Sequence, residues 1–131
     1  MGCANGFNRL GYFYQNGIGV EKDEHKAFTY YQKSADMDFI NSVYNVGFCY
    51  ENGIGVEKNE NMAFIYYQKS ADMGFVNGIY YVGYCYEGGV GVEVDEHKAF
   101  IYYKKVADMG YVESINYLFR MNGFDSLSVL L

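Results

Sequence analysis

NGIGVEKDE at residues 16–24 returns as NGIGVEKNE at 52–60 and as GGVGVEVDE at 88–96. Paired glycines, an apolar valine and a charged run mark a turn, and in a chain without proline glycine supplies the punctuation. Each copy leads through Asp23, Asn59 or Asp95, side chains that cap helix N-termini, to a glutamate suited to the positive end of a helix. After it come AFTYYQKSADMDF from Ala27, AFIYYQKSADMGF from Ala63 and AFIYYKKVADMGY from Ala99. Residues 4–39, 40–75 and 76–111 align without insertion, and neighbouring units agree at 22 of 36 positions, too many for chance. A fixed period of this size signals a solenoid, in which each unit buries its face only by stacking on a neighbour.

Each unit reads as two helices. The first, over about residues 5–15, sets Phe7, Leu10, Gly11 and Tyr14 on one side at helical spacing, matched by Val43, Val46, Gly47, Tyr50 and by Ile79, Val82, Gly83, Tyr86. A mid-helix glycine costs roughly 1 kcal/mol relative to alanine. Its return at Gly11, Gly47 and Gly83 predicts a backbone held tight against its partner helix. Gly17, Gly53 and Gly89 are placed to close the last turn with positive φ, and Val20, Val56 and Val92 are expected to tuck under the loop. The second helix runs to about Met37, Met73 or Met109, with Ala27, Tyr31 and Ala35 alternating small and large for close packing. The fold class expected is all-α, an α-solenoid of about three 36-residue helix pairs. A partial fourth unit over 112–122, carrying Ile115, Tyr117 and Leu118 in phase, is expected to cap the stack, followed by a tail over 123–131. Met1 and Gly2 fall in phase with Met73 and Gly74, which reads as the end of an earlier unit and suggests a segment of a longer repeat array.

The pattern LGYFYQNGIGVEKDEHKAFTYYQKSAD resembles the Sel-1-like repeat, a relative of the tetratricopeptide repeat with a longer loop between its helices. Gly11, Tyr14, Gly17, Gly19, Val20, Asp23, Lys26, Ala27, Tyr31, Lys33 and Ala35 carry the resemblance over roughly residues 3–119; Asn59, Met62 and Asp38 are small departures from it. The resemblance implies protein binding on the concave side, which the first helices line. It also brings a second possibility, a regulatory or targeting segment of a larger signalling protein such as a protein kinase, though no kinase signature lies in this chain.

Composition narrows the functions further. With 10 Lys and Arg against 16 Asp and Glu the formal net charge is −6, and the basic residues are scattered, so nucleic acid is not expected as a partner. No apolar run reaches membrane-spanning length. The opening Met1-Gly2-Cys3 lacks the Ser or Thr that acylated termini carry at the sixth residue, where Gly6 stands. Cys3, Cys49 and Cys85 are odd in number, which suits free thiols in a reducing, cytoplasmic setting. Cys49 and Cys85 lie one repeat apart, too far for a disulfide between packed helices, and are expected as small buried residues. Secreted bacterial relatives staple each helix pair with two cysteines per unit, a pattern this chain lacks.

Nothing assembles a reaction centre. His25 and His97 recur at one surface position where Asn61 takes their place, and a catalytic base needs a convergent constellation. Penicillin-binding chemistry, linked to some relatives, would want Ser-x-x-Lys, and no serine has lysine three residues on. No enzyme, metal or cofactor is expected, and the charged loops read as solvated caps.

The first helices leave one side unneeded by the core. Asn5, Asn8 and Tyr12, then Asn41, Tyr44 and Phe48, then Asn77, Tyr80 and Tyr84 would line it, with Arg120 continuing the ring position in a fourth helix. Amides offer donors and acceptors to an extended peptide, and aromatic rings are enriched at interaction hot spots. Rings at helical spacing also pack between helices; three unpaired amides inside a core would be costly, so the asparagines carry the expectation. The function expected is a protein-interaction scaffold or adaptor. A self-associating unit, a homo-oligomer through open end faces aided by Val129-Leu130-Leu131, is the remaining alternative.

Overall fold

The computed structural model describes residues 3–111. They form six helices: α1 (Ala4–Asn16), α2 (Glu24–Ala35), α3 (Ile40–Asn52), α4 (Glu60–Asp72), α5 (Val76–Gly88) and α6 (Glu96–Asp108). Among the described residues there is no strand. Each helix packs on the next in sequence, so pairs α1–α2, α3–α4 and α5–α6 stack as successive layers of an all-α, solenoid-like fold. The expected cap over 112–122, the tail and Arg120 lie outside the described residues.

The punctuation behaves as its chemistry demands. Gly17, Gly53 and Gly89 hold φ of 65°, 66° and 72° and return their N–H groups to the carbonyls of Phe13, Cys49 and Cys85. Asp23, Asn59 and Asp95 each accept a hydrogen bond from the backbone N–H three residues on, at 3.0 Å. Their own N–H groups close the loop onto the carbonyls of Tyr14, Tyr50 and Tyr86. Asp38, which stands where Gly74 and Gly110 stand, takes a left-handed φ of 58°, a conformation that Asp tolerates better than most residues.

The mid-helix glycines are required by close approach. A Cβ at Gly11 would meet the Tyr31 ring at 2.6 Å; at Gly47 and Gly83 it would meet Tyr67 and Tyr103 at 2.9 and 3.0 Å. Those tyrosines, with Ala27, Ala63 and Ala99, are buried and form the floor of each helix pair. Between pairs, Val43, Val46 and Cys49 of α3 bury against α2, and Val82 and Cys85 of α5 against α4. The buried cysteines are small packing residues, as expected, and all three thiols are free.

Two expectations are corrected in the first unit. Leu10 is 38% exposed although its counterparts Val46 and Val82 are fully buried, and Val20 lies exposed where Val56 and Val92 pack into the cores. The reason is positional. Val56 and Val92 are covered by the second helix of the preceding pair, and no described unit precedes α1.

Candidate functional site: the open face of α1, α3 and α5

The side of each first helix turned away from its partner is built from positions four, three and four residues apart: Asn5, Arg9, Tyr12, Asn16 on α1; Asn41, Asn45, Phe48, Asn52 on α3; Asn77, Tyr81, Tyr84, Gly88 on α5. Asn5, Asn41 and Asn77 are exposed, one per unit. Tyr12 is exposed, and Phe48 and Tyr84 are half-buried. The aromatic position is thus more covered in the second and third units than in the first.

Asn8, Tyr44 and Tyr80 stand to one side of this face, in the seam between layers. Asn8 Oδ1 accepts from Asn45 Nδ2 at 2.9 Å and from Ser42 Oγ at 2.8 Å. In the next seam the same two repeat positions are Tyr44 and Tyr81, with ring centroids 5.5 Å apart. Tyr44 also packs on Tyr67 at 5.6 Å and Phe75 at 5.7 Å, and Tyr80 on Tyr103 at 5.4 Å. The result is a continuous aromatic shelf, Phe48–Tyr44–Tyr81–Tyr84, with neighbouring centroids 5.5–6.3 Å apart. Asn45 and Tyr81, missed by the sequence reading, were reachable by stepping four residues from Asn41 and Asn77.

The face carries an acceptor position too. Tyr31, Tyr67 and Tyr103 donate their hydroxyl protons to Gln15 Oε1 at 2.6 Å, Glu51 Oε1 at 2.6 Å and Glu87 Oε1 at 2.9 Å. Burial, and then the nearby Glu51 charge, push the Tyr84 phenol up to about 12. Burial also raises Tyr31, Tyr44 and Tyr67 well above the ordinary phenol range. Proton-poor chemistry near neutral pH is not available from any of them.

Elsewhere, two open clefts of about 430 and 510 Å³ lie over the loops, at Tyr14 and at Tyr86, but Lys26 and Lys98 already sit over those rings at 5.3 Å. His25 and His97 are exposed at the starts of α2 and α6. Among the described residues no three His, Cys, Asp or Glu side chains converge, and no helix is long and apolar enough to cross a membrane.

The model of the Sel1 repeat matches residues 8–39, 40–75 and 76–111. The chain belongs to the Sel1 repeat family. A Sel1 repeat protein from Oxalobacter formigenes superposes with a TM-score of 0.84 at 30% identity, over 93% of this chain and 51% of that one. The antigen c5321 of uropathogenic Escherichia coli, described as displaying an SLR fold, gives 0.87 at 31% identity, over 90% of this chain and 25% of the other. Helicobacter pylori cysteine rich protein B, at 24% identity and TM-score 0.70 over 85% of this chain and 86% of its own, shares the fold. This chain therefore spans about half of the first of these proteins and a quarter of the second. No curated protein sequence matches the chain. Sel1 repeat proteins are generally protein-interaction scaffolds, and the family is typically non-catalytic.

Proposed function

We propose that this Sel1 repeat chain is an adaptor that holds an extended segment of a partner protein along the open, concave-side face of α1, α3 and α5, without chemistry. The observation that carries the reading is the recurrence, once per layer, of an exposed amide and, two turns on along the same side of the helix, an aromatic ring: Asn5 with Tyr12, Asn41 with Phe48 and Asn77 with Tyr84. Asparagine amides can pair with both the N–H and C=O groups of a peptide backbone, and the rings supply apolar contact area. The layers hold these groups in place before binding, which lowers the ordering cost of association. A cytoplasmic, reducing location suits the three unpaired thiols.

The test is capture of partners from matched lysate by the wild type and by a variant with Asn5, Asn41 and Asn77 all changed to Ala. These amides are exposed, so the variant is expected to keep its helical circular dichroism while losing a partner. Retention of every partner at wild-type level would sink the open-face reading.

Self-association is a second reading, favoured by Leu10, Phe13, Ile18 and Val20, which are exposed at the α1 end although their counterparts in later layers pack inward. Sedimentation across a dilution series would register it as a concentration-dependent mass that Leu10→Glu abolishes. A constant monomer mass would exclude it.

A further inference from the structure

Gln15, Glu51 and Glu87 occupy one repeat position and perform one packing task, accepting the hydroxyl proton of the buried tyrosine below. In the first unit a neutral amide performs it at the same 2.6 Å seen for Glu51. A half-buried carboxylate gives up solvation that an amide does not, so the charge at Glu51 and Glu87 is not something the fold requires. Nor is it neutralised within the described residues. The ion pairs there are Lys22–Glu24, Lys58–Glu60, Lys69–Asp38 and Lys104–Asp108. The lysines that lie over rings cover Phe7, Tyr14, Tyr30, Tyr86 and Tyr102, none of them on the aromatic shelf.

Glu51 borders that shelf: the hydroxyl it accepts belongs to Tyr67, whose ring packs on Tyr44 and Tyr81 with centroids 5.6 and 5.1 Å away. Ring faces and a carboxylate together form a setting that a cation satisfies twice, by attraction to the ring quadrupole and by a charge-assisted hydrogen bond. We propose that Glu51, bordering the shelf, and Glu87, three residues after Tyr84 on α5, receive basic side chains, so that the partner segment is an extended peptide with repeated Arg or Lys. This rests on the open-face reading and adds the chemistry of the occupant. The spacing follows from the layers. The first helices of successive layers meet through side chains, as Tyr44 and Tyr81 do with centroids 5.5 Å apart, and a polyproline II strand brings every third residue to the same side about 9 Å further on. Basic residues three apart would meet successive glutamates, and the chain's net charge of −6 would speed their encounter. The first unit, with Gln15 and the exposed Arg9, offers no such site.

The test measures fluorescence polarisation of a fluorescein-labelled decapeptide with Arg at every third position, separated by Gly and Ser, against the full chain. Glu51→Gln combined with Glu87→Gln keeps an acceptor for each tyrosine, as Gln15 does, and removes only charge. The wild type is expected to bind, the double variant to bind about tenfold more weakly or worse, and raised ionic strength to weaken the wild type. Equal binding by the double variant, insensitivity to salt, or equal affinity for the peptide with Glu in place of Arg would each overturn the inference. So would failure of the Arg peptide to bind. The triple Asn variant separates this from the broader reading. If it alone loses the peptide, the face binds without help from the carboxylates; if only the Gln variant loses it, the charges are right and the amide ladder is not.

Discussion

Gly19 and Gly55 hold nearly the same backbone, φ 72° and 69°, at one repeat position, yet their surroundings differ completely. A Cβ on Gly19 would meet no heavy atom within 4 Å. On Gly55 it would overlap the carbonyl oxygen of Glu24 and stand 2.6 Å from the carbonyl carbon and 3.0 Å from Phe28 Cβ. Gly91 repeats this against Glu60 and Phe64, at 2.8 and 2.9 Å. Alanine at either site incurs the left-handed penalty of about 1–2 kcal/mol. Gly55→Ala must also push the loop of the second layer off the start of α2. The obstacle is backbone, so no side-chain rotation relieves it, and overpacking of this kind adds about 1–3 kcal/mol. Urea unfolding followed by circular dichroism should therefore place Gly55→Ala and Gly91→Ala below Gly19→Ala by that added amount. The Gly55 transition should also broaden, because stacked units lose cooperativity when one interface weakens. If Gly19→Ala and Gly55→Ala lower stability equally and with unchanged steepness, then the loop glycines act only through φ, and the interlayer contact contributes nothing.

Val46→Ala removes two fully buried methyl groups and should cost about 2–3 kcal/mol, more than Leu10→Ala, which removes a larger but 38% exposed side chain from the same repeat position; the reverse order in urea midpoints would refute the assignment of α1 as an uncovered layer. Burial pushes the Cys49 and Cys85 thiols up to about 12, so Ellman's reagent at mildly alkaline pH should label Cys3 at once and the other two only on unfolding. The same shift has a sign for stability. From an ordinary thiol value of 9 upward the unfolded chain sheds protons that the folded chain retains, so stability is full below pH 9 and declines as pH rises from 9 towards 12. Urea midpoints that stay flat over that range would contradict it.

The repeat made most of this architecture readable. A glycine inside an otherwise good helix is informative only when it recurs, and Gly11, Gly47 and Gly83 recur against three buried tyrosines. Asp23, Asn59 and Asp95 were legible because capping is local chemistry within four residues. What a period cannot reveal is which copy has another layer packed over it, hence the misplacement of Leu10 and Val20: their repeat positions are those of covered residues, and no described unit lies over them. The open face was legible in its asparagines and blurred in its rings. Tyrosine serves both core and surface in this chain, so Tyr44 and Tyr80, half-buried in the seams, read the same as Tyr84, and only the structure sets Asn45 against Asn8 and Tyr81 against Tyr44.

The seams themselves have a consequence for how such arrays change length. One seam is closed by a pair of amides, Asn8 and Asn45, and the next by a pair of rings, Tyr44 and Tyr81. Excising the middle unit would set Asn8 against Tyr81, and duplicating it would set Tyr44 against Asn45; either event joins an amide to a ring. Units that share one fold and 22 of 36 residues with their neighbours are therefore not interchangeable bricks. Each carries a tongue cut for one groove, and growth or loss of units, by recombination or by design, must re-cut both sides of the new joint together.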